Sequence, residues 1–170
     1  MVSNTQFDLN TLAAVKPGMD DALAGISAHL EQYFDTPDTK VVSLEVARRE
    51  LHRLLGVLKM VRLNGVAAFC TELEMVLSGL AVNPRHISGM HRDALRHALS
   101  GVTHYLDALA DGADNAALRL FPQYQELQQL RGLEMAFELD LFYPNLDVPL
   151  PQELLSEHPQ DDAKAQLKAL

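Results

Sequence analysis

Apolar residues recur three and four positions apart through most of the chain, the spacing that places them on one face of an α-helix. The first stripe consists of Met19, Leu23, Ile26, Leu30 and Phe34. It predicts a helix over residues 19–34. Pro17 and Gly18 precede this stripe, where a proline suits a helix start or forces a kink.

Two further stripes lie on either side of Asn64-Gly65, a pair typical of a left-handed helix cap. The first comprises Leu44, Ala47, Leu51, Leu54, Leu58 and Val61, and the second comprises Val66, Phe69, Cys70, Leu73, Leu77 and Leu80. They predict helices over 40–63 and 66–81. Because the connection between them is short, these helices should form an antiparallel hairpin.

A fourth stripe predicts a helix over 87–110 that ends at Asp111-Gly112, and a shorter fifth helix is predicted over 122–131. The fourth stripe is Leu95, Leu99, Val102, Leu106 and Leu109, and the fifth is Tyr124, Leu127 and Leu130. Amphipathic helices joined by short links can bury their stripes only against one another. The expected fold is therefore all-α, an antiparallel up-down four-helix bundle with an additional C-terminal helix and an extended tail.

The helical period disappears between residues 134 and 146, where apolar residues alternate with charged ones. We expect Phe137, Leu141 and Phe142 to be at least partly buried, against the bundle or a symmetry mate, since an exposed apolar run promotes aggregation. Residues 1–147 are predicted to form one bundle with this segment docked on it. Residues 148–170 are rich in proline and polar residues and are predicted to be a linker to further domains of a longer protein.

Composition narrows the functional classes. The 170 residues are 48% hydrophobic, enough for one core, and the formal charge of −9 disfavours binding to nucleic acid or anionic lipid. No apolar run indicates membrane insertion, and the polar N-terminus is not typical of a signal peptide. A single cysteine, Cys70, excludes an internal disulfide and favours a reducing compartment, so a cytoplasmic protein is expected.

The most informative motif is His52-Arg53-Leu54-Leu55-Gly56 on the second predicted helix. If Leu51 and Leu54 face the core, His52 lies about 100° from Leu51 and should be exposed. Gly56 lies one turn later on the same face, where glycine costs about 1 kcal/mol of helix stability. It either leaves access beside the imidazole or allows close packing of another helix.

Basic residues cluster around this histidine. They are Arg48, Arg49, Arg53, Lys59 and Arg62, with Glu50 as the sole acid between positions 48 and 62. In an acidic chain such a cluster is able to attract an acidic partner or to stabilise a phosphoryl group, for which Arg48, Arg49 and Lys59 are the candidates. An ordinary solvated helix face accounts for the same pattern.

The motif resembles that of bacterial histidine-phosphotransfer domains, which are four-helix bundles. Matches to the first part of the family motif are His52, Leu54 and Gly56, and matches to the second part are Cys70, Glu72, Leu73 and Glu74. The resemblance implies that His52 is the phosphoacceptor and that receiver or kinase domains of a phosphorelay are the partners. It implies no cofactor and no metal in this domain.

Longer runs resemble the N-terminal region of CheA-like hybrid histidine kinases that regulate type IV pili and twitching motility, and the related FimL scaffold. These runs are residues 58–66, 104–109, 118–122 and 140–144. The resemblance implies a parent histidine kinase whose ATP site lies in another domain, and pilus-regulation scaffold proteins as partners. A homodimer is also compatible with it.

Two positions depart from the phosphotransfer pattern. Leu55 replaces the lysine three residues after the histidine, and Arg62 replaces a downstream glycine. The lost lysine removes a cation that would stabilise phosphoryl oxygens. Two hypotheses therefore stand: a phosphotransfer module that uses His52, and a catalytically silent scaffold that keeps the bundle as a docking surface.

Other chemistry-bearing residues give weaker signals. His97 and Gly101 repeat the spacing of His52 and Gly56, but this segment is interpreted as an ordinary helix with a close-packing glycine. His91, His97 and His104 lie about 9–10 Å apart along a helix, too far to share a metal. Cys70 is expected in the core, and Glu72 and Glu74 on a solvated helix face.

Overall fold

The computed structural model describes residues 9–36, 40–82 and 88–143, and this part of the chain contains helices and no strand. The α-helices are α1 (Leu9–Asp35), α2 (Lys40–Met60), α3 (Asn64–Val82), α4 (Gly89–Ala110) and α5 (Phe121–Leu130). Two short 3-10 turns occupy Ala117–Leu120 and Glu138–Leu141. The predicted all-α bundle with an additional C-terminal helix is confirmed.

The helices pack in a ring around one core. Helix α1 packs on α2 and α4, α3 packs on α2 and α5, and α5 also packs on α4. The apolar stripes point inward, and the largest fully buried side chains include Phe69, Ile26, Leu51, Leu73 and Leu106. Helix α3 packs on α5 more extensively than on α4. The fifth helix is therefore part of the bundle and closes the ring between α3 and α4.

Helix α1 begins ten residues before its predicted start. Pro17 lies inside the helix, and the turns before it remain helical because Leu12 is fully buried in the core. Lys16 adds contacts on both sides, with its Nζ 2.7 Å from Asp20 Oδ2 and 2.6 Å from Asp107 Oδ1 on α4. Tertiary packing therefore extends the helix through a residue that local preference places at its start.

The left-handed cap of α2 is also displaced from its predicted position. Arg62, not Asn64 or Gly65, has a positive φ of 61°, and Asn64 already begins α3. The Arg62 amide donates to the Lys59 carbonyl at 3.1 Å and the Leu63 amide to the Leu58 carbonyl at 2.9 Å, the two bonds of a Schellman motif. Gly65 is required for another reason: a Cβ there would overlap the Cβ of Ala117.

The segment after α5 folds back onto α3. Leu141 is buried, as predicted, and the Tyr124 hydroxyl donates to Asp140 Oδ2 at 3.2 Å. Phe137 and Phe142 are 54% and 52% exposed, so the bundle covers only about half of each side chain. The single turn of 3-10 helix presents only one apolar side chain inward, and its neighbours point away. The end of the predicted docked segment and the predicted linker, residues 144–170, lie outside the described residues.

Helix α3 is the most apolar of the five helices. By length and composition it could cross a membrane, but just over half of its most apolar window is buried inside the bundle. It also carries Glu72 and Glu74. A core helix of a bundle needs this apolar composition, because neighbouring helices cover it on more than one side.

Candidate functional site

His52 lies on the outer surface of α2, because its neighbours hold the opposite face in the core. Leu51, Leu54 and Leu58 are buried, and the His52 side chain is 73% exposed. The exposure agrees with the prediction from the apolar stripe. Its imidazole is therefore accessible to another molecule.

A carboxylate from α3 holds the imidazole of His52. Glu74 Oε1 lies 3.1 Å from His52 Nδ1. A carboxylate only accepts hydrogen bonds, so the contact favours the tautomer in which Nδ1 carries the proton and donates it to Glu74. That tautomer leaves the lone pair on Nε2, which has no protein partner among the described residues.

The α2–α3 hairpin brings Glu74 to the histidine. Leu73 and Leu77 are buried, which places Glu74 at the edge of the helix interface, where it is only partly exposed. Glu72 points elsewhere: it is buried and accepts a 2.5 Å hydrogen bond from Arg131 Nη1. The expectation of a solvated face is therefore wrong for Glu72, whereas Glu74 remains partly exposed.

The residues that follow His52 have distinct environments. A Cβ built at Gly56 would meet nothing within 4 Å, so this glycine leaves open space on the histidine side and packs against no other helix. Leu55 is 6% exposed and belongs to the core. The lysine that the family motif has at this position is thus replaced by a core side chain.

The candidate cations share the His52 face of α2. Relative to His52, Arg48, Arg49 and Lys59 are rotated about the helix axis by no more than about 60°. Arg49 and Lys59 are exposed, whereas Arg48 is half-buried and its Nη1 lies 3.2 Å from Glu45 Oε2. Because Glu45 already neutralises part of the charge of Arg48, Arg49 and Lys59 are the more available cations.

The described geometry comprises an exposed histidine, a carboxylate that orients it and a basic helix face. The model of the histidine-phosphotransfer domain, the Hpt domain, matches residues 11–131. The chain belongs to the Hpt domain family. No curated protein and no solved structure gives a significant match.

This Hpt domain carries a second histidine with a similar partner. His97 on α4 is 61% exposed, and its Nδ1 lies 3.2 Å from Glu126 Oε2 on α5. The sequence does not predict this pair. The register between α4 and α5 depends on the 3-10 turn that connects them, which the apolar stripes do not reveal. A Cβ at Gly101 would lie 3.3 Å from Leu120 Cδ2, so this glycine allows close packing, as predicted.

The remaining candidates take no part in the surface of the Hpt domain that carries His52. Cys70 is fully buried, and burial raises the pKa of its thiol to about 12. Among the described residues, His, Cys, Asp and Glu side chains do not form a group of three that could hold a metal ion. Cys70 therefore contributes to the packing of the core.

Proposed function

We propose that this Hpt domain exchanges phosphoryl groups with receiver and kinase domains of a phosphorelay through His52. The observation that carries the proposal is the 3.1 Å contact between His52 Nδ1 and Glu74 Oε1 on an otherwise exposed ring. It supports a fixed tautomer with an accessible nucleophilic nitrogen. Such a nitrogen is what a phosphoacceptor requires.

In the proposed reaction the Nε2 lone pair of neutral His52 attacks the phosphorus atom. A nitrogen–phosphorus bond forms, and the bond from phosphorus to the donor oxygen breaks. The donor leaves as a carboxylate, if it is an aspartyl phosphate, or as a nucleoside diphosphate. The Nδ1 proton stays in place, and Glu74 offsets the positive charge that develops on the ring. Any metal ion used in the transfer comes with the donor.

The basic face of α2 supports the transfer. Arg49 and Lys59 are exposed on the His52 side and are able to approach phosphoryl oxygens. Gly56 leaves the space through which a donor reaches the ring. These cations partly replace the family lysine, whose position Leu55 occupies.

One observation favours a second candidate function, a scaffold that docks partners without accepting phosphate. Leu55 is buried, so it provides no charge beside His52, and the loss of a cation weakens transition-state stabilisation. We rank this function second because Glu74 would have no role in it. A domain that docks its partners but never acquires label would support it.

We also propose a cellular context. The runs at residues 58–66, 104–109, 118–122 and 140–144 support membership in a cytoplasmic, chemotaxis-type kinase that controls type IV pili. In that context the domain would contact scaffold proteins of pilus regulation, and the linker at 148–170 would lead to further domains. Loss of twitching motility in a strain with a His52→Gln substitution would test this context.

The proposed chemistry is tested with potassium phosphoramidate, a small donor that phosphorylates imidazoles without a protein partner. The wild-type domain should gain an acid-labile, alkali-stable phosphoryl group on His52, located by mass spectrometry of peptides. His52→Gln should abolish it and leave the helical circular dichroism unchanged, since exposed substitutions alter stability by no more than about 0.5 kcal/mol. Equal labelling of the variant, or no labelling of the wild type, would overturn the proposal.

A further inference from the structure

A groove lies beside the His52 face of the hairpin. Its volume is about 440 Å³, and it is open to solvent. Helix α3 supplies most of its lining and α2 supplies Lys59, and two tyrosines, Tyr124 of α5 and Tyr143 after the last 3-10 turn, complete it. The Hpt family match ends at residue 131, so Tyr143 is an addition to the matched domain.

The groove lies close enough to His52 for one partner to cover both. Lys59, which lines it, follows His52 by seven residues and is therefore about 10 Å away along the same face of α2. Met75, another lining residue, directly follows Glu74. An ordinary interface covers roughly 800 Å² on each partner, a disc of about 16 Å radius. A globular domain centred on His52 thus reaches the groove.

The lining combines small, apolar and polar groups with one cation, Lys59, and one carboxylate, Glu72, whose charge Arg131 offsets. Ala67 and Ala68 leave room between the helices, and Met75 and Tyr143 present exposed apolar surface. Lys59 forms no ion pair with any described residue. Methionine and tyrosine are adaptable contact residues that are common in interfaces.

We propose that this groove is a docking subsite for the receiver domain that exchanges phosphate with His52, and that it accepts an apolar side chain flanked by a carboxylate. The inference rests on the proposed function. A receiver is favoured over other occupants by charge, because its phosphoaspartate lies among acidic groups that complement the basic face of α2. Tyr143 then makes the segment after residue 131 part of the specificity of the domain.

Two variants test the subsite without touching His52 or Glu74. Ala68→Leu fills the groove with a good helix former, and Met75→Ala removes its exposed rim. Matched controls are Ala110→Leu and Met90→Ala, which make the same changes at exposed positions of α4, a helix that does not line the groove. All four proteins are first labelled with phosphoramidate, which needs no docking.

The labelled proteins are then mixed with a purified receiver domain selected because it takes phosphate from the wild type. Ala68→Leu should raise the receiver concentration for half-maximal transfer by about tenfold or more, since a misfit of one side chain in a pocket costs that much. Met75→Ala should raise it severalfold. Both controls should behave as wild type, and phosphoramidate labelling should be equal in all of them.

Unchanged half-saturation in both groove variants would overturn the subsite, as would failure of every tested receiver to take phosphate from a labelled wild type. If the wild type takes no label at all, the proposed phosphotransfer fails, and the subsite is then judged by calorimetry with a receiver domain selected because it binds the unlabelled wild type. Weaker binding by Ala68→Leu would uphold the groove in that case, and equal binding would refute it. If Ala68→Leu does not fold, Met75→Ala decides.

Discussion

Two histidines of this Hpt domain stand in nearly the same local arrangement, one on each side of the bundle. His52 on α2 faces Glu74 on α3, and His97 on α4 faces Glu126 on α5, with nitrogen–oxygen distances of 3.1 and 3.2 Å. Both rings are mostly exposed, and both are followed four residues later by a glycine. Tautomer control and exposure therefore do not distinguish them.

The surroundings of the two histidines differ in charge and in space. Within one turn before His52 stands the exposed cation Arg49, whereas one turn before His97 stands the acid Asp93. Arg96, the cation next to His97, is bound to Glu31 of α1. Beside Gly56 there is open space, whereas beside Gly101 lie side chains of Leu120 and Gln123. A phosphoryl group carries negative charge and bulk, so we expect it only at His52.

The largest expected effect is the difference in labelling between the two histidines. With phosphoramidate as donor, His97→Gln should keep the label of the wild type, and His52→Gln should abolish it. In the wild type, His52 should carry at least about 100-fold more label than His97, the typical effect of charge stabilisation at a reacting group. Quantitative peptide mapping measures both sites in one sample. Comparable label on His97 in the His52→Gln variant would contradict this expectation. It would show that an exposed ring with a carboxylate partner is sufficient for phosphorylation, without the charge and space found beside His52.

The next effect concerns the carboxylates. Glu74→Gln should slow labelling of His52 by about tenfold to a hundredfold. The neutral amide can turn either its oxygen or its NH2 group toward Nδ1, so it no longer fixes the tautomer, and it does not offset the ring charge. Glu126→Gln, the matched change on the other side, should leave the rate unchanged. The rates come from time courses at several pH values. Equal rates in both variants would mean that Glu74 is a structural neighbour only.

The sequence predicted the parts of this comparison that depend on one helix. The apolar stripes of α2 correctly predicted that His52 is exposed, and the five helices were found with boundaries mostly within three residues. The pairs His52–Glu74 and His97–Glu126 depend on the register between two helices, which side-chain spacing within one helix does not reveal. For the same reason Glu72 was expected in solvent, although Arg131 reaches it from beyond α5.

Two features of the backbone, the start of α1 and the cap after α2, also differ from the sequence prediction. The start of α1 was misplaced because Pro17 usually begins or kinks a helix, and burial of Leu12 overrides that preference. The cap after α2 was assigned to Asn64-Gly65 because these residues adopt a positive φ easily. An arginine adopts it instead, and Gly65 is needed for contact with Ala117.

Gly56 and Gly101 differ in the space around them, and this difference should be measurable as a difference in the free energy of unfolding. Gly56→Ala should stabilise the fold by about 1 kcal/mol, because the new methyl group meets nothing and alanine favours the helix. Gly101→Ala should stabilise less or destabilise, since Leu120 must move away from the methyl group. Urea denaturation of the two variants measures both effects. Equal gains would show that the space beside Gly101 is as open as that beside Gly56.

The smallest effect expected concerns how the two histidine-bearing helices end. Both α2 and α4 end in a Schellman motif, but the left-handed residue is Arg62 in the first, with φ of 61°, and Gly112 in the second, with φ of 91°. A residue with a side chain is destabilised by roughly 1–2 kcal/mol in this conformation. Glycine avoids that steric cost but loses more conformational entropy on folding, which offsets part of the gain. Arg62→Gly should therefore stabilise the domain by up to about 1 kcal/mol, and Gly112→Ala should destabilise it by a similar amount.

Urea midpoints measured at low and high salt separate backbone strain from charge in these two variants. If strain alone matters, the gain in Arg62→Gly is independent of salt. A loss of stability in Arg62→Gly would show that the arginine side chain makes a compensating contact, and a loss confined to low salt would identify that contact as electrostatic. A salt-independent gain would instead mean that this helix keeps an arginine at a cost in stability, as expected if the cation serves the basic face that surrounds His52 and not the fold.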